Sequence, residues 1–459
     1  MTKPSPNTKL SRKTKLFYGI GDLGNAVVNS AIQFFLMKFY TDGALVSPAL
    51  AGNALLIGKI WDAVNDPLFG WFTDRTRSRH GKRRVFMLFG AIPLAIAIAL
   101  LWFVPEANRL WTFVWIAATF VLFDTIWTLT NVPYYALTSE LTDDYDERSS
   151  LTTYRMAMAV PAYLVGAALT PAIVGLFALQ RTGWAFIGIA YGVLAAAALL
   201  IAAAGLRERS GLAVSRPEPS PFKSLALALK NRPFVWLCGT YLVINISFAF
   251  IKILMAYYIE YQLLMKAETT LVMGLMLICV TISLPFWQWL SRKMDKGPAY
   301  GLGMAVGALA IVLTFFLPHQ SSGLIYLIAV LAGFGFSAQW IFPWAMVADV
   351  ADYDRAETGQ QRSGMYYGVW GLATKFSEAL ALAAVGWILT GFNYVPNVEQ
   401  SSQALLGIRL FFGLVPAVII FASLPLLFKY PLNRQRHAEV RARLEAMDAA
   451  QRSDTSPVA

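Results

Sequence analysis

Two aspartates, Asp62 and Asp66, stand four residues apart in a stretch, Gly58 to Pro67, that is flanked by apolar residues on both sides. At 3.6 residues per turn they share a helix face, one turn apart, with Asn65 beside them. A charge at the centre of a bilayer costs roughly 2.5–3.5 kcal/mol on insertion scales, and two like charges on one face add repulsion. Such a pair persists where a proton, a basic partner or a bound cation neutralises it. Two carboxylates and an amide are oxygen ligands, suited to a hard ion or a proton rather than to zinc or copper.

Other polar residues fall inside apolar runs. Asp124, Thr128, Asn131 and Tyr135 follow one another at spacings of 4, 3 and 4, a polar stripe that must face the interior of a helix bundle. Asp22 and Asn25 are one turn apart, among glycines that suit close helix packing. Arg155, Lys252 and Lys375 are basic residues within apolar runs, and Lys375 and Glu378 are spaced to pair with each other. Lys59 is spaced to pair with Asp62, and Lys38 and Arg409 lie near run ends, where they can snorkel to the headgroups. Trp340 precedes Pro343 and serves either packing or as a platform for a sugar ring. Hydrolytic and redox chemistry find no support. The histidines, His80, His319 and His437, fall in loops or the tail, and neither a nucleophile elbow nor a phosphate-binding loop occurs. The chain reads as a transporter that uses an ion gradient or facilitated diffusion, not as an enzyme, and it calls for no organic cofactor.

The elements that position these residues are membrane helices. Of 459 residues, 57% are hydrophobic and 14% charged, against about a quarter charged in a soluble protein. Apolar stretches near the roughly 20 residues needed to span a bilayer occur at 17–40, 49–73, 85–104, 110–137, 151–176, 183–206, 233–262, 268–290, 299–318, 323–348, 364–391 and 404–429. In lipid, runs this long must be helical, so an all-α polytopic membrane protein of twelve helices is expected. Lys and Arg crowd the N-terminus, the loop after the second span, the centre of the chain and the tail. The opposite loops hold only Arg109, Arg181 and Lys266. Positive residues stay inside, which places both termini in the cytoplasm and accounts for the net charge of +11 without nucleic-acid binding. Cys238 and Cys279 both lie within spans, against a structural disulfide.

A polar segment at 207–232, with Pro217, Pro219 and Pro221, divides the chain into six-helix halves at 1–206 and 233–429, followed by a tail at 430–459. An internal repeat agrees. The run from Pro133 through Glu140 and Asp143 to Asp146 is echoed from Pro343 through Asp349 and Asp352 to Asp354, and Asp74 with Arg75 is echoed more weakly by Asp295 with Lys296. Parallel repeats of six spans are the layout of a major-facilitator transporter, with the substrate site between the halves near the midplane.

At this point the chain resembles the glycoside–pentoside–hexuronide:cation symporters of the major facilitator superfamily, over essentially its whole length. The markers are Phe39 to Asp42, Ile60 to Pro67, Asp143 to Arg148 with Tyr154 and Arg155, and Met346 to Asp349. The resemblance implies a site for Na+, H+ or Li+ at Asp62, Asn65, Asp66 and Thr128, with Na+ the candidate metal at the two aspartates. It implies a sugar site that keeps Arg155, Trp340 and Lys375, whereas Ala26, Asn131 and Tyr135 replace family residues; Asp22, with Asn25 beside it, can substitute for a missing carboxylate. Lys252 would favour an anionic solute such as a hexuronate. The expected protein is a cation-coupled symporter of a sugar, glycoside or hexuronide in the cytoplasmic (inner) membrane, working as a monomer with the lipid bilayer as its surroundings. The same branch includes lysophospholipid carriers, which keeps an amphiphile as the alternative cargo.

Overall fold

A computed structural model describes residues 9–76, 78, 79, 81–142, 144–206, 208, 221–320, 322–360 and 362–454. The expected linker at 207–232 lies partly outside them, as do Arg77, His80 and Asp143 of the acidic repeat. Among the described residues, twelve long helical stretches build the fold. They are α1 (Arg12–Lys38, prolonged by a π-helical turn, Phe39–Gly43), α2 (Pro48–Arg75), α3 (Arg84–Leu101), α4 (Arg109–Leu141), α5 (Tyr145–Leu164, prolonged through Val165–Leu169 and Thr170–Gly175) and α6 (Gln180–Gly205). Then follow α7 (Arg232–Tyr257, with a π-helical turn, Tyr258–Gln262), α8 (Thr269–Ser291), α9 (Lys296–Leu313), α10 (Leu324–Phe336 and Ala338–Thr358), α11 (Ser363–Gly391) and α12 (Ser402–Arg409, Leu410–Leu414 and Val415–Phe428). A short helix, Pro221–Ala228, precedes α7, and a tail helix, Arg434–Asp454, follows α12. Side-chain caps start several of them: Ser11, Asn108, Asp144, Asn231 and Ser401 each accept a first-turn backbone N–H.

Among the described residues, ten spans are long and apolar enough to cross a membrane. The two that fall short are α1 and α2, diluted by Asp22, Lys38 and Asp42 in and just after α1 and by Lys59, Asp62 and Asp66 in α2. The helices least suited to lipid by composition thus carry the chemistry. α2 resolves the conflict by facing two ways. Ile57, Ile60, Val64, Leu68 and Phe72 form its exposed stripe, while Asp62 and Asn65 are buried on the other side.

On the face bearing the termini, loops latch each half. Glu208 accepts the backbone N–H groups of Lys82, Arg83 and Arg84 at 2.6, 2.8 and 2.6 Å, a carboxylate at the N-terminus of α3. Arg83 pairs with Glu140 at the end of α4. The second half repeats the pairing: Lys296 meets Asp349 of α10 at 2.6 Å, and His437 of the tail helix approaches the same carboxylate at 3.2 Å.

A further repeat joins α1 and α7. Both end in a π-helical turn, and both leave it through a left-handed leucine, Leu45 (φ 54°) and Leu264 (φ 56°). The exit bonds also match: Val46 N–H to Tyr40 O at 2.8 Å and Met265 N–H to Ile259 O at 3.0 Å. Equivalent positions of the two helices then meet across the interface, 219 residues apart in sequence, as Gln33 with Lys252 and Asp42 with Tyr261.

On the face away from the termini, α2 and α11 cross closely. A Cβ on Gly386 would lie 2.5 Å from the Pro48 carbonyl oxygen. Ala49 N–H donates to Thr390 Oγ1 at 3.0 Å, and Trp387 Nε1 donates to Asn53 Oδ1 at 2.9 Å. Gly386→Leu should force these helices apart, at a cost of about 1–3 kcal/mol. The expected result is a lower thermal unfolding midpoint, and faster alkylation of Asn53→Cys in a chain without Cys238 and Cys279.

Candidate functional site

The bundle interior holds a continuous charged cluster contributed by both halves. α2 brings Lys59, Asp62, Asn65 and Asp66, α4 brings Asp124 and Thr128, α7 brings Lys252, and α11 brings Lys375 and Glu378. The Lys375 ammonium reaches between the two aspartates, pairing with Asp62 Oδ1 and lying 2.5 Å from Asp66 Oδ2 and 3.2 Å from the Asp62 carbonyl. Thr128 Oγ1 donates to Asp66 Oδ1 at 3.0 Å. Asn65 Nδ2 donates to Asp124 Oδ2 at 2.5 Å, while Asn65 Oδ1 is buried and meets no hydrogen-bond donor. The side chain of Asp62 is 8% exposed and that of Asp66 42%, so Asp66 is the open member of the pair.

The four residues expected to hold a cation therefore stand together, and Asp124 joins them. Among the described residues no group of three or more His, Cys, Asp or Glu side chains is placed to hold a metal ion. A cation here would need the amide and hydroxyl oxygens as well as the carboxylates, and the orphaned Asn65 Oδ1 is such an oxygen.

Lys375 belongs to this group rather than to the sugar contacts among which the sequence placed it. Nor does it pair with Glu378. Instead Glu378 sits 3.4 Å from Lys59 and 3.7 Å from Lys252, and Lys59 also lies 3.7 Å from Asp62. Lys252 donates to Gln33 Oε1 at 2.8 Å, so its ammonium is partnered from both halves. In all, four acidic side chains (Asp62, Asp66, Asp124 and Glu378) face three lysines (Lys59, Lys252 and Lys375).

A second polar group lies in the first half. Tyr135 OH donates to Asp22 Oδ1 at 3.1 Å, Arg155 Nε lies 3.6 Å from Asp22 Oδ2, and the guanidinium stands 5.1 Å from the Tyr135 ring centre. Asn25 Nδ2 donates to Asn131 Oδ1. Five of the expected substrate residues are thus gathered on α1, α4 and α5. Trp340 is apart from them. It packs edge-on against Tyr163 with ring centres 5.4 Å apart. With Lys252 it lines a narrow recess of about 10 Å³ whose other walls are mainly apolar, among them Phe34, Phe248, Met276 and Phe336.

Away from the termini the halves close on Asp42. Its carboxylate accepts from Lys38 and Tyr261 at 2.7 Å each, from Thr41 at 2.7 Å and from Tyr394 at 2.6 Å. Lys38 also meets Glu260 at 2.7 Å and faces the rings of Tyr257 and Tyr261, 4.7 Å from each centre. Asn397 Nδ2 donates to the Asp42 carbonyl at 2.7 Å. Lys38 does not snorkel, since acids from both halves compensate its charge inside the protein. Phe39 to Leu45 and Tyr258 to Leu264 form the same turn but share only the final leucine in sequence, so the sequence carried no signal of it.

The chain matches the family described as MFS/sugar transport protein over residues 17–434. It belongs to that family. A symporter of Synechocystis sp. without an assigned substrate is 28% identical, covering 95% of this chain and 97% of its own. An Escherichia coli protein named as a glycoside/cation symporter is 28% identical, covering 97% of each chain. The sodium-dependent lysophosphatidylcholine symporter 1-B of Danio rerio is 26% identical, covering 95% of this chain and 92% of its own. Solved structures of a proton-dependent oligopeptide transporter (TM-score 0.61, 16% identity, 91% of this chain and 99% of that one) and of a nucleoside transporter (TM-score 0.59, 13% identity, 90% and 98%) share the fold. The protein is a multi-pass membrane transporter of the major-facilitator fold.

Breaking a buried ion pair by removing one partner costs about 3–5 kcal/mol. Asp42→Ala should therefore open the closure around Lys38. The expected outcome is a lower unfolding midpoint together with new thiol labelling of Tyr394→Cys, compared with Tyr394→Cys alone.

Proposed function

We propose that this transporter couples the movement of one Na+ to the uptake of a sugar or glycoside, with Asp62, Asp66, Asn65 and Thr128 as the cation ligands. The observation that carries the reading is the buried, unpaired Asn65 Oδ1 on the helix turn that bears Asp62 and Asp66, with Thr128 Oγ1 on Asp66, at the junction of the halves. These oxygens suit a hard monovalent ion such as Na+ or Li+, and the carboxylates a proton. Lys375 then acts as a tethered competitor. It neutralises the two aspartates when no ion is bound and is released toward the substrate when one is. Because α11 carries Lys375 and α2 carries the aspartates, this exchange alters what holds the halves together, which is what a rocking carrier requires.

The bonds described between the halves lie at the midplane or away from the termini. Together with the openness of Asp66, this supports a state open toward the face bearing the termini. The distribution of Lys and Arg supports a cytoplasmic position for that face; a cytoplasmic (inner) membrane and a monomeric working unit complete the proposal.

For the substrate, the group formed by Asp22, Asn25, Asn131, Tyr135 and Arg155 offers the donors and acceptors a polyol needs, and Trp340 offers a ring face. Lys252, already partnered by Gln33 and Glu378, gives little reason to prefer a hexuronate. A second reading, an amphiphile such as a lysophospholipid, draws on the mainly apolar lining of the narrow recess beside Trp340. The relatives include proteins named for each cargo.

A thermal-shift matrix separates these readings, since a ligand of the folded state raises its stability by mass action. The purified chain is heated with sugars, uronates and lysolipids, each with and without Na+. Sugars that stabilise only with Na+ support the main reading, and lysolipids behaving so support the second. Asp62→Asn and Asp66→Asn should each abolish the Na+ shift and uphill uptake while leaving the fold intact. Na+-driven accumulation that persists in both variants overturns the cation site.

A further inference from the structure

We infer that Asp124 is a positioning residue of the cation site, acting through Asn65 rather than as a ligand; the inference rests on the cation reading above. The 2.5 Å contact in which Asn65 Nδ2 donates to Asp124 Oδ2 fixes which end of the amide faces α4. The amide oxygen is left on the side away from Asp124, on the helix that carries Asp62 and Asp66.

That oxygen is the second observation. Asn65 is fully buried (0% exposed), and its Oδ1 meets no donor. Leaving a buried acceptor unpaired costs about 1–3 kcal/mol. A free amide would turn to relieve this, and the Asp124 contact prevents it. Asp124 is itself buried at 4% exposed, so water is poorly placed to take over its role. The pair thus holds a carbonyl-type oxygen unpaired on the helix turn that carries the two aspartates, where a bare cation is its natural partner. An amide or hydroxyl at position 124 could donate as well as accept, and would let Asn65 take either orientation.

The test is a Na+ titration of the thermal shift of the whole purified chain, with no substrate present. Asp124→Asn keeps the size of the side chain but lets it donate as well as accept. It should weaken Na+ binding by about tenfold, the scale of one lost hydrogen bond. Asn65→Ala should weaken binding at least as much. The double variant should bind Na+ within about threefold of Asn65→Ala, because Asp124 has nothing left to position. The unfolding midpoint without Na+ reports whether each variant folds. Asp124→Ser, with the same expectation, replaces Asp124→Asn if the latter does not fold. Wild-type affinity in the Asp124 variants, or losses that multiply in the double variant, overturns the inference and leaves the cation site standing. A wild-type chain that shows no response to Na+ overturns both.

Discussion

The fold depends on keeping charge neutral inside a medium that solvates none of it. The Lys375 ammonium between Asp62 and Asp66 is the central instance. Each of the three groups would be costly alone in a bilayer, and together they tie α11 of one half to α2 of the other. Lys59, Lys252 and Glu378 extend the same logic sideways, so that the charges of the midplane form one network rather than isolated pairs. A network of this kind is selective about change. Any ion or ligand that alters one member alters the compensation of all the others, and with it the grip of the two halves on each other.

Much of this was legible in the sequence, because lipid makes exceptions conspicuous. The spacing of Asp62 and Asp66 demanded a neutralising partner, and the stripe from Asp124 to Tyr135 demanded an interior face. α2 meets the demand by turning Ile57, Ile60, Val64, Leu68 and Phe72 outward. Partner identity was not legible. Lys375 and Glu378 have helical pairing distance, but each found a stronger opposite charge on another helix, and local spacing cannot rank a neighbour three residues away against one three hundred away. Lys38 had the look of a snorkelling lysine for the same reason. Its acids, Asp42 and Glu260, come from both halves, and only the packed bundle brings Glu260 close. The closure residues Tyr261, Tyr394 and Asn397 carry no formal charge, so they did not stand out from the apolar background.

The two ends of the transport path are built on different physics. On the face bearing the termini, latches such as Arg83 with Glu140 and Lys296 with Asp349 each stay within one half and stiffen it as a body. On the far face, the bonds of Asp42 run between halves and must break as a set for that side to open. Within the membrane the interior is split again, with hydrogen-bonding groups on α1, α4 and α5 and an apolar recess near Trp340.

The matched turns that end α1 and α7 have one more implication. Positions related by the internal repeat lie against each other along these two helices, so whatever stands at one is presented to its own counterpart. Were the halves identical, position 42 would set acid against acid, or phenol against phenol. The actual pair is a carboxylate receiving a phenol O–H, and Gln33 receives an ammonium from Lys252 in the same manner. A closure of this chemistry cannot be assembled from two equal copies. Divergence between the duplicated halves is thus a condition for the seal to exist, and the axis of the molecule is where that divergence matters most.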